Sequence, residues 1–280
     1  MTPARPSIAD KRRTFHGLHE SGCFVIPNPW DIGSARLLQR LGFKALATTS
    51  SGFAWSQGRP DHGLARELVL GHLERMVAAT DLPVNADFEG GFAHDAAGVA
   101  ESVRLAVATG VAGLSIEDST GEPSRPLYDL DTAVERIRAA RGAIDRAGGD
   151  ALLVGRAECF LVGRPDMPET LTRLRAYAQA GADCLYAPGL RTREDMAAVV
   201  AGVAPNPVNV LIGSATPLTL QDLAQIGVRR VSVGGALARA AWGGFMRAAR
   251  LIADHGRFDE LATAASGPEL NALLGDSPAG

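Results

Sequence analysis

Residues 104–118, RLAVATGVAGLSIED, contain the unit that decides the fold of this chain. A helical stretch ends at Gly110, a short apolar run follows, and two acids stand where that run stops. Glycine directly after a helix takes the left-handed cap conformation that other residues resist. The same unit recurs around Gly42, Gly181 and Gly227. Repeated helix–glycine–strand units predict a parallel sheet covered by helices.

Eight short apolar runs without clean alternation fit strands that are covered on both faces. They lie at roughly 23–27, 44–49, 83–87, 112–117, 151–156, 183–187, 207–212 and 229–233. Helical stretches lie between them, for example 99–109, 131–147, 168–180, 192–203 and 217–226. Eight alternating units predict an α/β protein with a (β/α)8 TIM barrel. An open doubly wound sheet is the competing fold, but no Gly-x-Gly-x-x-Gly follows the first strand to favour it.

The C-terminal part extends beyond the eighth strand. Two more helices are predicted from Trp242 to Leu273, with Gly256 and Gly267 as breaks. We expect a single domain over residues 1–280, with the barrel at about 20–245 and the extra helices at about 246–274. These helices either cover their own barrel or exchange with a neighbouring subunit, since exchange of an element is a known route to oligomers.

Composition excludes several functional classes. The net charge of -3 gives no basic face for nucleic acid, and the apolar runs are too short to span a membrane. The first residues lack the apolar region of a signal peptide, and three cysteines without a CxxC motif are typical of a reducing, cytoplasmic protein. Lys11 precedes the predicted barrel and Lys44 starts the second strand, so neither can form a Schiff base at the barrel mouth.

Charged residues stand at the ends of three consecutive strands. Asp87 ends the third strand, Glu117 the fourth and Arg156 the fifth, and active sites of (β/α)8 barrels lie at these ends. Carboxylates on adjacent strands, with Asp61 on the preceding loop, can hold a hard cation such as Mg²⁺. The alternative is that they cap loops. An arginine in the barrel mouth needs an anion, which is either a substrate carboxylate or a salt-bridge partner such as Glu117 or Glu158.

Small residues after three other strands are weaker signals. Ser50–Phe53 follows the second strand, where glycine lets backbone N–H groups approach a small anion. Gly213-Ser214 and Gly234-Gly235 follow the last two strands, at the usual phosphate position of these barrels. Close packing at the rim is the alternative interpretation. His62 and His94 fall in loops on the same side, where a histidine can move a proton.

Together these residues resemble the isocitrate lyase and phosphoenolpyruvate mutase superfamily over about residues 12–245. The resemblance rests on a set of motifs in order. These are Pro27-Asn28-Pro29-Trp30-Asp31-Ile32-Gly33-Ser34-Ala35, Thr49-Ser50-Ser51-Gly52, Gly58-Arg59-Pro60-Asp61, Asn85-Ala86-Asp87, Gly113-Leu114-Ser115-Ile116-Glu117-Asp118, Gly155-Arg156 and Gly181-Ala182-Asp183. It implies a (β/α)8 barrel with a helix exchanged between subunits, usually in tetramers, and small 2-oxo or 2-hydroxy acid substrates.

The resemblance also implies residue roles. Ser51, Gly52 and Phe53 match the loop that cradles the substrate, and Trp30 is assigned to the same substrate-binding set. The expected metal is Mg²⁺, with Mn²⁺ as a substitute. The resemblance implies that Asp61, Asn85, Asp87 and Glu117 hold this metal. It also implies that Asp87, Glu117 and Arg156 are the catalytic residues and that Arg156 contacts the substrate.

Two departures from the family pattern narrow the expected chemistry. Asn85 stands where many members have the first aspartate of Asp-x-Asp, which binds the metal directly. Residues 119–126, STGEPSRP, lack the Lys-x-Cys-Gly-His motif that supplies the general acid in isocitrate and methylisocitrate lyases. His62, Glu122 and ordered water are the candidate proton donors.

The resemblance predicts a magnesium enzyme that cleaves a C–C or C–P bond of a small 2-oxo or 2-hydroxy carboxylate through an enolpyruvate-like species. Its substrates would be of the oxaloacetate or methylisocitrate type, and the protein a homo-oligomer. Two alternatives stay open. One is a metal-independent barrel that binds phosphate esters through the glycines after strands seven and eight. The other is a binding barrel that has lost catalysis.

Overall fold

Eight parallel strands curve into a nearly closed barrel, which confirms the predicted (β/α)8 fold. The structure, a computed structural model, describes residues 5–275. The hydrogen-bonded order is β1-β8-β7-β6-β5-β4-β3-β2. The strands are β1 (Phe24–Ile26), β2 (Leu46–Ala47), β3 (Val84–Asp87), β4 (Gly113–Glu117), β5 (Leu152–Arg156), β6 (Cys184–Tyr186), β7 (Val208–Leu211) and β8 (Arg230–Ser232). Between β1 and β2 one backbone bond, from Ala47 N–H to the Pro27 carbonyl at 3.0 Å, closes the circle.

Helices alternate with these strands as predicted. They are α1 (Ile8–Glu20), α2 (Ile32–Arg40), α3 (Ser50–Ser56), α4 (Arg66–Ala79), α5 (Ala96–Ala108), α6 (Leu130–Arg146), α7 (Met167–Gln179), α8 (Arg193–Val203), α9 (Leu220–Gln225), α10 (Ala236–His255) and α11 (Gly267–Gly275). Most begin at a Ser, Thr or Asp whose side chain accepts a hydrogen bond from the first turn. The glycines of the repeating unit behave as expected, since φ is positive at Gly42, Gly110, Gly181 and Gly227.

Helix α1 closes the N-terminal end of the barrel. Phe15 is fully buried among the side chains inside the strands. Lys11 donates through Nζ to the carbonyls of Val77 at 2.9 Å and Thr80 at 2.6 Å, where α4 ends. Lys11 therefore lies at the end of the barrel opposite the mouth, as the exclusion of a lysine imine required. Within residues 5–275, the barrel therefore opens toward solvent at the C-terminal ends of its strands.

The chain after β8 differs in detail from the prediction. Helix α10 starts at Ala236, earlier than expected, and ends before Gly256, which has the left-handed φ of 62°. A 3₁₀ helix at Asp259–Thr263 separates it from α11, and Gly267 begins that last helix instead of breaking it. Several large apolar side chains of α10 stay exposed, among them Phe245 at 63%. Within residues 5–275, no helix combines the length and the apolar character that a membrane span needs.

Candidate active site

A cavity of about 170 Å³ opens at the C-terminal ends of the strands, and we call it the inner cavity. Predicted site residues from four different segments of the chain meet there. Its polar lining comprises Asn28, Thr48, Thr49, Ser50, Ser51, Asp61, Asn85, Asp87, Ser115, Arg156, Tyr186, Asn209, Arg230 and Ser232. The strand register explains the convergence, because Asp87 lies beside Ser115 while Glu117, Arg156 and Tyr186 lie side by side on β4, β5 and β6.

Three carboxylates surround the guanidinium of Arg156. Its Nη1 lies 3.1 Å from Asp87 Oδ1 and 3.1 Å from Glu117 Oε2, while Nε donates to Glu158. The guanidinium carbon Cζ of Arg156 lies over the ring of Tyr186, 5.3 Å from the ring centroid. The salt bridges that were the alternative interpretation of Arg156 are therefore present. Its Nη2 has no hydrogen-bond partner among the described residues, so one donor stays available to a ligand in the cavity.

Burial and charge shift the pKa values of this cluster. Burial raises the pKa of Glu117 to about 8, against the opposing attraction of Arg156. Burial likewise raises the pKa of Glu158. Burial alone would lower the pKa of Arg156, but Glu158, Glu117 and Asp87 together raise it well above its usual value. Burial thus favours the neutral forms of Glu117 and Glu158, while Arg156 opposes this by attracting their charged forms.

The predicted substrate loop forms the short helix α3 at the rim of the inner cavity. The Ser50 N–H donates to Asp87 Oδ2 at 3.0 Å, which ties the loop to β3. Ser51 lines the cavity, whereas Phe53 is buried and stacks on His72 with ring centroids 3.8 Å apart. A Cβ on Gly52 would lie 2.6 Å from Thr49 Cγ2, so the loop needs glycine for close packing.

Trp30 is not brought to the inner cavity. It lies behind the loop, where its Cβ would be 3.0 Å from a Cβ added at Gly52. Its exposed side lines a shallow surface pocket together with Trp242 and Phe245 of α10. The structure thus places Trp30 between the substrate loop and the exposed apolar face of α10.

A second, larger space of about 500 Å³ lies beside the inner cavity, and we call it the outer cavity. Glu117, His62, His94 and Glu122 are among the residues that line it. His62 Nδ1 is 3.1 Å from Glu89 Oε2, and this hydrogen bond raises the pKa of His62 to about 9. Both residues have positive φ, 59° and 49°, a conformation that non-glycine residues adopt at a cost. His94 instead bonds to the Tyr128 hydroxyl at 2.7 Å.

The floor of the inner cavity contains a charge that the sequence analysis did not assign. Arg230, the first residue of β8, is 3% exposed and donates through Nε to Asn209 Oδ1 at 2.9 Å. Its Nη1 lies 3.4 Å from Asn85 Oδ1. The signal was present in the run Arg229-Arg230-Val231-Ser232, because successive strand residues face opposite sides. One of the two arginines therefore has to point into the barrel.

The acidic residues at the barrel mouth provide oxygen ligands of the kind that a divalent cation binds. Among the described residues, no three Asp, Glu, His or Cys side chains converge closely enough to form a metal centre on their own. However, Mg²⁺ usually keeps several waters and needs one or two carboxylates. Glu117 Oε2 is buried and receives no well-aligned hydrogen bond, although Arg156 Nη1 lies 3.1 Å away. Asp87 and Glu117, with Asp61 at the rim, fit such an ion, whereas the Asn85 oxygen already faces a guanidinium.

The glycines after β7 and β8 are only partly in the inner cavity. Gly234 and Gly235 line it, but Gly213 and Ser214 do not. A Cβ on Gly235 would lie 2.8 Å from Ser51 Oγ, so this glycine permits close packing against the substrate loop.

Comparisons with known proteins agree with this geometry. The phosphoenolpyruvate phosphomutase family model matches residues 15–253. A crystal structure from Burkholderia cenocepacia J2315, described as a lyase or mutase, is 47% identical, with a TM-score of 0.93 over 96% of this chain and 97% of that one. Oxaloacetate acetylhydrolase bound to its product oxalate is 26% identical, with a TM-score of 0.84 over 96% and 95%. A 2-methylisocitrate lyase of Salmonella typhimurium is 33% identical over 67% of this chain and 65% of its own length.

The family model covers all eight strands and most of helix α10, and the motifs quoted above lie within that region. The expected class of protein, an enzyme, is confirmed at the level of the family, whose members are lyases and mutases. The chain therefore belongs to the phosphoenolpyruvate phosphomutase family, within the phosphoenolpyruvate mutase/isocitrate lyase superfamily.

Proposed function

We propose that this enzyme cleaves a C–C bond of a small 2-oxo or 2-hydroxy carboxylate in a Mg²⁺-dependent reaction that passes through an enolpyruvate-like species. The observation that carries the proposal is the cluster of Asp87, Glu117 and Glu158 around Arg156, of which Asp87 and Arg156 line the inner cavity. Relatives named for 2-methylisocitrate and oxaloacetate support acids of that size. The cavity volume of about 170 Å³ suits a molecule of a few carbon atoms.

Asp87 and Glu117 are the residues we propose as metal ligands, with Asp61 reaching the ion through water. When bound, Mg²⁺ would stabilise negative charge that develops on the substrate oxygen. We propose that Asn85 has a different role from the one the family resemblance implied, because its side-chain oxygen accepts a hydrogen bond from Arg230. Mn²⁺, which also prefers oxygen ligands, is expected to substitute for Mg²⁺.

The remaining roles follow from the lining of the two cavities. We propose that Ser51 contacts the carboxylate or keto end of the substrate, with Gly52 and Phe53 shaping the loop behind it. Arg156 holds Asp87 and Glu117 in place and offers its free Nη2 to the substrate. His62 and Glu122 line the outer cavity next to Glu117 and are the side chains we propose to return a proton to the cleaved product. Trp30 supports the loop from behind.

A proton NMR time course tests the function. Purified protein is incubated with oxaloacetate, 2-methylisocitrate, other 2-oxo and 2-hydroxy acids, and phosphonopyruvate, each with Mg²⁺, with Mn²⁺ or with EDTA. We expect one acid to be consumed with either metal but not with EDTA. Asp87→Asn should lower that rate by roughly 100-fold or more, whereas Arg104→Gln, on the exposed face of α5, should not. Consumption that EDTA leaves unchanged, or no consumption of any acid, would contradict the proposal.

We also propose that the enzyme assembles into a homo-oligomer through α10. Leu237, Trp242, Phe245 and Met246 leave between 36% and 63% of their surface exposed on this helix. Contiguous apolar surface of this kind marks a protein interface more often than open solvent. Because Trp30 joins the same surface pocket, a partner seated there would also press on the back of the substrate loop.

A further inference from the structure

Arg230 differs from the other buried arginines in its partners. Arg12 and Arg173 each reach a carboxylate, at 2.7 Å and 3.0 Å. Arg136 donates to three backbone carbonyls. Arg230 has no carboxylate within 4.0 Å among the described residues. It contacts the amide oxygens of Asn209 and Asn85 and, through Nη1, the ring nitrogen Nε2 of His19 at 3.4 Å. A buried cation with so few compensating oxygens is costly, and an anion in the adjacent cavity would offset that cost.

Neighbouring side chains hold the Arg230 guanidinium toward the cavity instead of folding it away. Asn209 on β7 accepts from Nε at 2.9 Å and donates to Ser232 Oγ at 3.0 Å, which fixes the orientation of its amide. Asn85 on β3 accepts from Nη1 across the barrel. The second terminal nitrogen has no hydrogen-bond partner among the described residues, and Arg230 lines the inner cavity. A planar donor group is thus held in place with free capacity.

The charges of the two cavity arginines are not equally available. Arg156 is already shared among three carboxylates, whereas Arg230 has none. An anion that enters the inner cavity therefore meets its strongest uncompensated attraction at the floor. Acidic side chains that fit a metal ion, Asp61 and Asp87, lie at the mouth of the inner cavity. The unpaired cation of Arg230 lies at its floor.

We propose that Arg230, positioned by Asn209 and Asn85, binds a carboxylate of the substrate at the floor of the inner cavity and so selects dicarboxylic acids. This inference rests on the proposed function, in which the reacting 2-oxo or 2-hydroxy end of the acid lies at the mouth beside Ser51 and Asp87. An acid that reaches both ends carries a second carboxylate.

The neutral side chain of Asn85 is needed for Arg230 to remain available to a substrate carboxylate. At the observed distance of 3.4 Å, an aspartate in place of Asn85 would form an internal ion pair with Arg230. That pair would supply the missing anion from within the protein and leave less attraction for a ligand. Asn85→Asp therefore tests the proposal while Arg230 itself is retained.

Isothermal titration calorimetry with malonate as the dicarboxylate probe and acetate as the monocarboxylate control measures the site directly. We expect wild-type protein to bind malonate in preference to acetate. Arg230→Gln and Asn85→Asp should each weaken malonate binding by about 10-fold or more, the loss of one hydrogen bond to a charged group. Arg229→Gln is the matched control, because Arg229 directly precedes β8 and its Nη1 donates to the Gly22 carbonyl instead of reaching the cavity.

Malonate affinities that are equal in wild type and both variants would overturn the proposal, as would a wild-type protein that does not bind malonate or binds acetate equally well. If Arg230→Gln fails to fold, Asn85→Asp and a wild-type crystal grown with malonate decide. A carboxylate must then lie about 3 Å from the Arg230 guanidinium. If malonate binding depends on Arg230 but no acid is turned over, the carboxylate site at Arg230 stands and the proposed lyase function is overturned. If an acid is turned over and Arg230→Gln leaves that turnover unchanged, the proposed function stands and the role of Arg230 is overturned.

Discussion

Replacing Arg156 by glutamine is the perturbation whose size the structure defines best. The substitution removes the one cation among three acids, two of which, Glu117 and Glu158, have side chains only 4% exposed. Removing one partner of a buried ion pair costs about 3–5 kcal/mol, because it leaves an uncompensated charge behind. The protein can limit this cost by binding a proton at Glu158.

The cost of that proton can be worked out. A carboxyl with an ordinary pKa of 4.5 costs about 1.4 kcal/mol for each pH unit above that value at which it is held neutral. The penalty is therefore at most about 3.4 kcal/mol at pH 7 and about 1.4 kcal/mol at pH 5.5. Burial already raises the pKa of Glu158 in the wild type, and the loss of Arg156 removes the attraction that opposes this rise. The folded variant therefore holds more protons than the unfolded chain, and its stability falls more steeply with rising pH than that of the wild type.

Urea denaturation of wild type and Arg156→Gln at pH 5.5 and pH 7, followed by circular dichroism, measures both quantities. We expect a destabilisation of about 3 kcal/mol at pH 7 that shrinks by more than half at pH 5.5. Adding Glu158→Gln to the variant should restore most of the loss. Arg104→Gln, which breaks an exposed ion pair on α5, is the control and should change nothing. Equal stability of Arg156→Gln and wild type at pH 7 would refute the assignment of Arg156 as the cation that stabilises this buried acidic cluster.

Three further predictions concern the substrate loop and its support. Gly52→Ala places a Cβ 2.6 Å from Thr49 Cγ2, so it should destabilise the protein by about 1–3 kcal/mol and lower kcat/KM, measured by denaturation and by the NMR assay. Burial lowers the pKa of His72 to about 4 from 6.5, so the unfolded chain binds the extra proton and wild type should lose up to about 3.4 kcal/mol as pH falls from 6.5 to 4. His72→Phe keeps the stack on Phe53, and its denaturation midpoint should fall less over that range. Phe245→Asp should shift the protein to a smaller species in light scattering, and an unchanged mass would remove α10 from the interface.

The fold could be predicted from the sequence because short-range signals mark where each strand begins and ends. A glycine that ends a helix marks four of the strands, and a short apolar run marks all eight, so these local signals located every strand to within about two residues. The sequence also placed Asp87, Glu117 and Arg156 at one rim, since the C-terminal ends of parallel strands share a side.

The rest of the site depended on distances between elements that are far apart in the chain. Only the closed barrel brings Asn85 within 3.4 Å of Arg230, although 145 residues separate them. For the same reason Trp30, which follows β1 in a family motif, could not be recognised as a residue behind the loop. A local motif identifies the sequence neighbours of a side chain. The residues that a side chain meets across the barrel depend on the strand register and the curvature of the sheet.

The single backbone bond between β1 and β2 gives the barrel a natural line of opening. Asn28 reinforces it, because its amide donates to the Thr48 carbonyl at 2.9 Å and accepts from the N–H groups of Val233 and Gly234. Amide hydrogen exchange should therefore be fastest along this seam and slowest along β4 and β5, which share the longest register. The seam ends beside Ser50, at the rim of the inner cavity. An acid bound there would contact both sides of the seam. Binding of the acid should therefore stabilise the closed barrel, and opening of the seam should weaken binding of the acid.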